Sequence, residues 1–203
     1  MPVSDDDRKR ISAAIAGAEA RTSGEIVCVL ARSSSDYGYI PLLWAALVAL
    51  VLPWPLIVFT ELPVQYIYTA QLAGFIALSL LLSLPHLRFR LVPRRVQRLR
   101  AHRAATEQFM IRGISQTRER TGILVFVSLA ERYARIIADS GIAEKVPQAT
   151  WQTAVDSLVS NCRAGNIADG FVAAIAQAGD VLAQHFPPAA QNINEIPDRL
   201  YLI

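Results

Sequence analysis

Charged residues are scarce in this sequence, and the shortage is concentrated in one region. Only 18% of the residues are Asp, Glu, Lys or Arg, whereas a soluble domain usually carries about 25%. Residues 40–59 and 64–84 contain no charged residue, and a short connection that includes Glu61 separates them. A soluble core rarely holds two adjacent uncharged runs of this length, because other elements would have to cover each of them fully. The pattern therefore argues against an entirely soluble protein.

Cysteine and histidine are also rare, which excludes several kinds of site. Cys28 and Cys162 lie far apart with no Cys-x-x-Cys spacing, so we expect buried or half-buried thiols in a reducing compartment. His86, His102 and His185 are not spaced as a pair of metal ligands. The sequence has no P-loop, no GxGxxG motif and no GxSxG nucleophile elbow. We therefore assign no catalytic residue from the sequence.

The two uncharged runs are long enough to cross a lipid bilayer. A hydrocarbon core of roughly 30 Å needs about 20 helical residues, and residues 40–59 and 64–84 have this length. The connection of residues 60–63 is so short that the two helices have to be antiparallel neighbours. We expect a two-helix transmembrane hairpin over residues 37–87, with a lipid bilayer as its surroundings.

Arginines follow the second run and predict the orientation of the hairpin. They are Arg88, Arg90, Arg94, Arg95, Arg98, Arg100 and Arg103, with no acidic residue before Glu107. The tip holds Glu61 and no basic residue, so the positive-inside rule predicts that both termini lie in the cytoplasm. Beside a membrane span, the run Arg88–Arg103 favours contact with anionic lipid over nucleic-acid binding, and we expect no nucleic-acid partner.

The sequence on either side of the hairpin predicts one α/β domain that is split in two. Apolar periodicity and turn residues predict helices over 4–20, 92–120, 147–162 and 167–185, strands over 25–30, 122–129 and 134–138, and an irregular tail to residue 203. Neither residues 1–36 nor residues 88–203 can form a complete core alone. We expect strand 25–30 to join the sheet of the second part, since an even number of spans leaves both parts on the same side.

Short motifs in a fixed order carry a family resemblance. They are Thr22-Ser23-Gly24-Glu25-Ile26, the run 120–132, Ile136-Ile137-Ala138-Asp139 with Gly141-Ile142, Trp151, Phe186-Pro187, and Asn194-Glu195-Ile196-Pro197-Asp198. In this order they resemble the TPM domain family, in the bacterial branch where a two-helix membrane hairpin splits the domain. The resemblance implies a three-layer α/β fold with a short mixed sheet, in a protein of the bacterial inner membrane.

The same resemblance suggests where a ligand could bind. Some family members bind calcium or other divalent cations, and Glu25, Asp139, Glu195 and Asp198 are the candidate metal ligands here, because carboxylate oxygens suit calcium and magnesium. The alternative is that Asp139 caps a turn and the other acids lie at the surface. Related tails usually have acidic residues where this sequence has Gln191 and Asn192, which weakens the case for a calcium site.

Two functions are consistent with these observations. The first is a membrane-tethered module on the cytoplasmic face that binds a membrane-protein partner or assists the assembly of a complex. The second is a divalent-metal-dependent phosphatase acting on phosphomonoesters, since a plant relative has been described as an acid phosphatase. The exposed motif loops and the basic helix after the hairpin favour the first.

Overall fold

The computed structural model describes residues 3–84, 87, 89–188 and 194–203. Four residues used above, namely His86, Arg88, Gln191 and Asn192, lie outside the described residues. The chain divides into two compact units. The first unit comprises Met1–Ser34 and Arg98–Ile203, and the second comprises Ser35–Gln97.

The helices and strands are numbered in chain order. The helices are α1 (Asp5–Glu19), α2 (Tyr39–Val51), α3 (Pro53–Phe59), α4 (Val64–Leu82), α5 (Arg94–Ile111), α6 (Ser140–Ala143), α7 (Gln152–Arg163) and α8 (Ile167–His185). The strands are β1 (Glu25–Ala31), β2 (Gly122–Ser128), β3 (Tyr133–Ala138) and β4 (Leu200–Leu202). Short 3-10 segments cover Phe89–Leu91, Ile114–Gln116 and Gln148–Trp151.

Within the described residues, the first unit is built on a four-stranded mixed sheet in the order β3-β2-β1-β4. Strand β1 is parallel to β2, with Glu25 opposite Gly122, and β2 is antiparallel to β3. The prediction that strand 25–30 joins the sheet of the second part is therefore confirmed. The prediction of an irregular tail to residue 203 is wrong at its end, because β4 pairs in parallel with β1 and Leu200 lies opposite Cys28.

Helices cover both faces of this sheet, which confirms the three-layer α/β fold. Alternate residues of a strand point to opposite faces. Ile26, Cys28 and Leu30 of β1 pack in the core formed with α1, α7 and α8. Val27 and Val29 pack in the smaller core on the other face, which Ala105 and Phe109 of α5 cover. Both faces of β1 and β2 are buried, which explains their almost continuous apolar sequences.

Helix α5 is shorter than the sequence predicted. The helix ends at Ile111, whereas the prediction extended it to Arg120. Gly113 adopts a left-handed conformation with φ of 71°, and glycine in this conformation commonly terminates a helix because it has no Cβ. The backbone N–H of Gly113 then donates to the carbonyl of Met110 at 3.1 Å.

The two cysteines of the first unit are free thiols. Cys28 is buried in β1 and Cys162 is half-buried in α7. Burial raises the pKa of both thiols, because an apolar surrounding disfavours the thiolate. Both thiols are therefore protonated at neutral pH.

The second unit contains two helical segments that are long and apolar enough to cross a membrane. They are Tyr39–Phe59 and Val64–Leu82, which contain 18-residue stretches with mean hydropathies of 2.4 and 1.4. Only 11% and 6% of these stretches are buried, whereas the core helix of a soluble protein is mostly buried. The first segment is interrupted at Leu52, where Pro53 begins α3, because proline cannot continue the hydrogen-bond ladder of the preceding helix.

Candidate functional site at the start of strands β1 and β2

The predicted ligands lie at the edge of the sheet where β1 and β2 begin and β3 ends. Glu25 is the first residue of β1 and lies opposite Gly122, the first residue of β2. Asp139 directly follows β3, and its N–H donates to the carbonyl of Gly122 at 3.0 Å. Glu25 and Asp139 therefore lie on either side of β2.

Glu25 holds the C-terminal segment against this edge. Its buried carboxylate accepts hydrogen bonds from the backbone N–H groups of Glu195 and Ile196, both at 3.3 Å. Burial raises the pKa of Glu25, while the two N–H groups counteract this rise. The side chain thus stabilises the docked tail through its backbone.

Glu19 belongs to the same cluster, although only its position at the end of α1 could have pointed to it. The carboxylate is buried, and Oε1 accepts the N–H of Ile26 at 2.7 Å. Burial raises the pKa of Glu19 to about 9, and neighbouring Glu25 and Asp198 add to this shift. Glu19 is therefore protonated at neutral pH, and its carboxyl group lies near that of Asp198.

The carboxylates of the two acidic tail residues, Glu195 and Asp198, also accept hydrogen bonds from the protein. The carboxylate of Glu195 accepts the N–H of Arg118 at 3.3 Å. Asp198 accepts a hydrogen bond from Nδ2 of Asn194 at 2.5 Å. Together with the Glu19 contact, these bonds hold residues 194–198 at the start of β1.

Asp139 caps a short helix, which is the alternative that the sequence left open. Oδ1 accepts the N–H of Ser140 at 2.6 Å and thereby caps α6. Oδ2 is buried and has no hydrogen-bond partner in the described part of the chain. Nη1 of Arg120 donates to the hydroxyl of Ser140 at 3.5 Å, and Arg120 has a left-handed φ of 52°.

Gly141 completes this corner because only glycine fits there. A Cβ at this position would lie 2.7 Å and 2.8 Å from the carbonyl oxygens of Glu119 and Arg120. Such distances are well inside van der Waals contact, so a side chain would displace the backbone before β2. The motif residues 139–141 thus fix the local backbone as well as the position of the Asp139 carboxylate.

The positions of the four predicted ligands can be compared with what a divalent-cation site requires. Among the described residues, no group of three or more His, Cys, Asp or Glu side chains is arranged to hold a metal ion. Glu25, Glu195 and Asp198 lie near one another, and Asp139 lies across β2. Both oxygens of Glu25 and one oxygen each of Glu195, Asp198 and Asp139 accept hydrogen bonds from protein N–H groups. The arrangement as it stands does not fit a multidentate cation site, and the metal assignment stays a prediction.

Comparison with known proteins defines the class of this domain. A sequence model of the TPM domain family matches residues 87–181. The fold is similar to the NMR structure of BA42 protein from the psychrophilic bacterium Bizionia argentinensis, with a TM-score of 0.62 and 20% identity over 99% of this chain and 95% of that one. Among curated proteins, none matches the sequence. The chain therefore contains a TPM domain, and the predicted resemblance is confirmed.

Proposed function

We propose that this protein is a membrane-tethered TPM domain that binds a partner or assists complex assembly on the cytoplasmic face of the bacterial inner membrane. The observation that carries the proposal is the exposure of two long apolar segments, Tyr39–Phe59 and Val64–Leu82, in which 18-residue stretches are only 11% and 6% buried. Such surfaces are costly in water and favourable in lipid. The segments therefore serve as the anchor of the domain.

The engagement of the carboxylates favours a binding role over catalysis. Glu25 accepts two backbone N–H groups, and Glu195 accepts a third. A metal-dependent hydrolase holds its cation with several converging side chains and keeps open positions on the cation for water and substrate, and the described residues hold no such converging group. Here the same oxygens hold the tail, so they support a structural role.

The arginines after the hairpin support the proposed orientation. Arg94, Arg95, Arg98 and Arg103 are exposed, and an exposed basic segment next to a membrane span is typical of the cytoplasmic side. The same side chains can bind anionic headgroups at about 1 kcal/mol for each cation near the surface. We therefore propose anionic lipid as a second contact of the tether.

Reporter fusions test the anchor and its orientation. Alkaline phosphatase inserted after Glu61 is expected to be active, since it folds only outside the cytoplasm, and a fluorescent protein at the C-terminus is expected to fluoresce. Active alkaline phosphatase at the C-terminus would contradict the orientation. Recovery of the whole chain in the soluble fraction would contradict the anchor itself.

Crosslinking tests the binding role. The full chain, crosslinked in intact membranes and purified in mild detergent, is expected to recover the same membrane-protein partner in repeated preparations. Recovery should be lost when the first unit is unfolded by a core substitution such as Leu158→Asp, because Leu158 of α7 is fully buried in the larger core. A chain that recovers no reproducible partner would count against a binding role.

One observation favours the phosphatase as a second candidate. Oδ2 of Asp139 is buried without a hydrogen-bond partner among the described residues, and it lies beside Ser140 and Arg120. The test is hydrolysis of a generic phosphomonoester with calcium, magnesium or manganese, comparing the natural chain with Asp139→Asn and with Glu144→Gln at an exposed position. We expect equal background rates. Metal-dependent turnover that only Asp139→Asn abolishes would establish the phosphatase instead.

A further inference from the structure

Two arginines from distant parts of the sequence share one tyrosine ring on the α5 side of the sheet. Cζ of Arg112 lies 3.9 Å from the centroid of the Tyr201 ring, and Cζ of Arg199 lies 4.7 Å from the same point. Tyr201 belongs to β4 and packs against the core beneath α5, whereas its neighbour Leu200 packs against the opposite core. The ring thus brings the end of α5 and the tail together.

The described part of the chain does not neutralise this pair of cations. Within the described residues, no carboxylate lies within 4.0 Å of the guanidinium of Arg112 or Arg199. The acids of the same tail segment are engaged elsewhere: Glu195 with the N–H of Arg118, and Asp198 with Asn194 and Glu19. No described carboxylate therefore compensates the positive charge around the ring.

The geometry leaves guanidinium N–H groups for a ligand. Nε of Arg112 donates to Oε1 of Gln108 at 3.2 Å. This bond fixes the plane of the guanidinium and leaves its two Nη groups available to donate to a ligand. Attraction to an aromatic face is weak at an exposed site, and the neutral ring supplies no negative charge to the two cations. An anion that bridges them would remove this repulsion and accept several charge-assisted hydrogen bonds.

We propose that Arg112, Arg199 and Tyr201 form a binding site for a phosphate group. A phosphate carries enough charge and acceptor oxygens for two guanidinium forks, and Tyr201 sets the spacing between them. The bound group joins the end of α5 to the tail. It comes either from a soluble phosphate compound or from a phosphomonoester lipid headgroup. The site does not depend on the proposed binding function of the domain.

Titration of inorganic phosphate into the full chain tests the site. With the protein in phosphatidylcholine nanodiscs at low salt, we expect saturable heat of binding in calorimetry. Arg112→Gln and Arg199→Gln should each weaken binding at least about tenfold, because a hydrogen bond to a charged group is worth at least that factor. Tyr201→Leu should also weaken binding, because the ring no longer sets the spacing of the two guanidinium groups. Arg163→Gln is the matched control, since it removes an equal charge from α7 on the other side of the sheet; its affinity should be unchanged.

Lipid composition distinguishes the two sources of the phosphate group. If a headgroup occupies the site, phosphatidic acid nanodiscs should weaken the binding of inorganic phosphate relative to phosphatidylglycerol nanodiscs of equal charge. If the ligand is soluble, the affinity should be the same in both.

Three results would overturn the proposal. They are no saturable binding to the natural chain, unchanged binding in both Arg112→Gln and Arg199→Gln, and an equal loss in Arg163→Gln. Arg199→Lys is a conservative variant that distinguishes a binding defect from misfolding. It keeps the positive charge but loses the planar guanidinium fork, so we expect an affinity between those of the natural chain and Arg199→Gln.

Discussion

The buried carboxylate of Glu131 accepts the backbone N–H of Ser34, which lies 3.0 Å from Oε1 and 3.1 Å from Oε2. The hydroxyl groups of Ser33 and Ser128 donate to the same carboxylate. Glu131 lies in the turn between β2 and β3, and Ser33 and Ser34 follow β1. One side chain therefore joins the chain leaving β1 to the end of β2, at the last residues of the first unit before the apolar helices.

Replacement of Glu131 by alanine should destabilise the first unit strongly. The substitution leaves the N–H of Ser34 and the hydroxyl of Ser128 buried without their acceptor, which we expect to cost about 2–4 kcal/mol. Denaturant unfolding of the full chain in mild detergent measures this loss. Glu144→Ala is the control, because Glu144 is exposed and should change the free energy of unfolding by less than about 0.5 kcal/mol. Equal stability of the two variants would contradict the role of Glu131.

Glu19 should make the stability of the first unit fall as the pH rises. Its pKa is raised from 4.5 to about 9 by burial, so between these values the folded state binds a proton that the unfolded state has released. The free energy of unfolding therefore decreases as the pH rises from 4.5 to about 9, by at most about 1.4 kcal/mol per pH unit. Above the upper value both states are ionised and this dependence ends.

Glu19→Gln tests the source of this pH dependence. Glutamine resembles the protonated carboxyl group, and it can still accept the N–H of Ile26. We expect the variant to lose less stability than the natural chain across the same pH range, as measured by melting temperature in detergent. A slope identical to that of the natural chain would show that Glu19 is not the titrating group. Glu144→Gln serves as the exposed control.

The sequence predicted the long elements well, because their apolar patterns are local. Helix α8 was predicted over residues 167–185, as observed. Strand β4 was missed because it has only three residues and is defined by parallel pairing with β1, more than 160 positions earlier. The end of α5 was missed although Gly113 gave a local signal for it.

The candidate site was only partly predictable for a related reason. Glu25 and Asp139 were placed at strand ends by their position in the sequence. The docking of Glu195 onto Glu25 depends on a backbone contact between residues 170 positions apart. The pairing of Glu19 with Asp198 and of Arg112 with Tyr201 likewise follows from how the tail folds back. No spacing in the sequence encodes such contacts, because the fold alone brings these residues together.

Two glycines allow a matched test of the packing between α1 and α8. A Cβ at Gly179 of α8 would lie 2.8 Å from Cβ of Ala18, whereas a Cβ at Gly17 of α1 would contact nothing within 4 Å. Alanine favours a helix over glycine by roughly 1 kcal/mol. We therefore expect Gly17→Ala to stabilise the first unit by about 0.5–1 kcal/mol, and Gly179→Ala to destabilise it by about 1–3 kcal/mol through overpacking. Unfolding of both variants in the same detergent measures the difference. A stabilising Gly179→Ala would show that the two helices separate at little cost.

Two leucines with similar exposure test whether the apolar helices lie in lipid. Leu47 of α2 is 47% exposed and Leu99 of α5 is 51% exposed, so exposure in the structure does not distinguish them. Leu47 lies near the middle of the segment Tyr39–Phe59, where a lysine should cost about 2.5–3.5 kcal/mol if the surroundings are hydrocarbon. Leu99 lies within the arginine-rich helix after the second segment, where a lysine should cost little.

We expect Leu47→Lys to reduce the fraction of the chain that resists alkaline carbonate extraction from membranes, and Leu99→Lys to leave it unchanged. If both variants stay in the membrane like the natural chain, or if both leave it, the helices of residues 39–82 do not lie in a bilayer in the proposed manner.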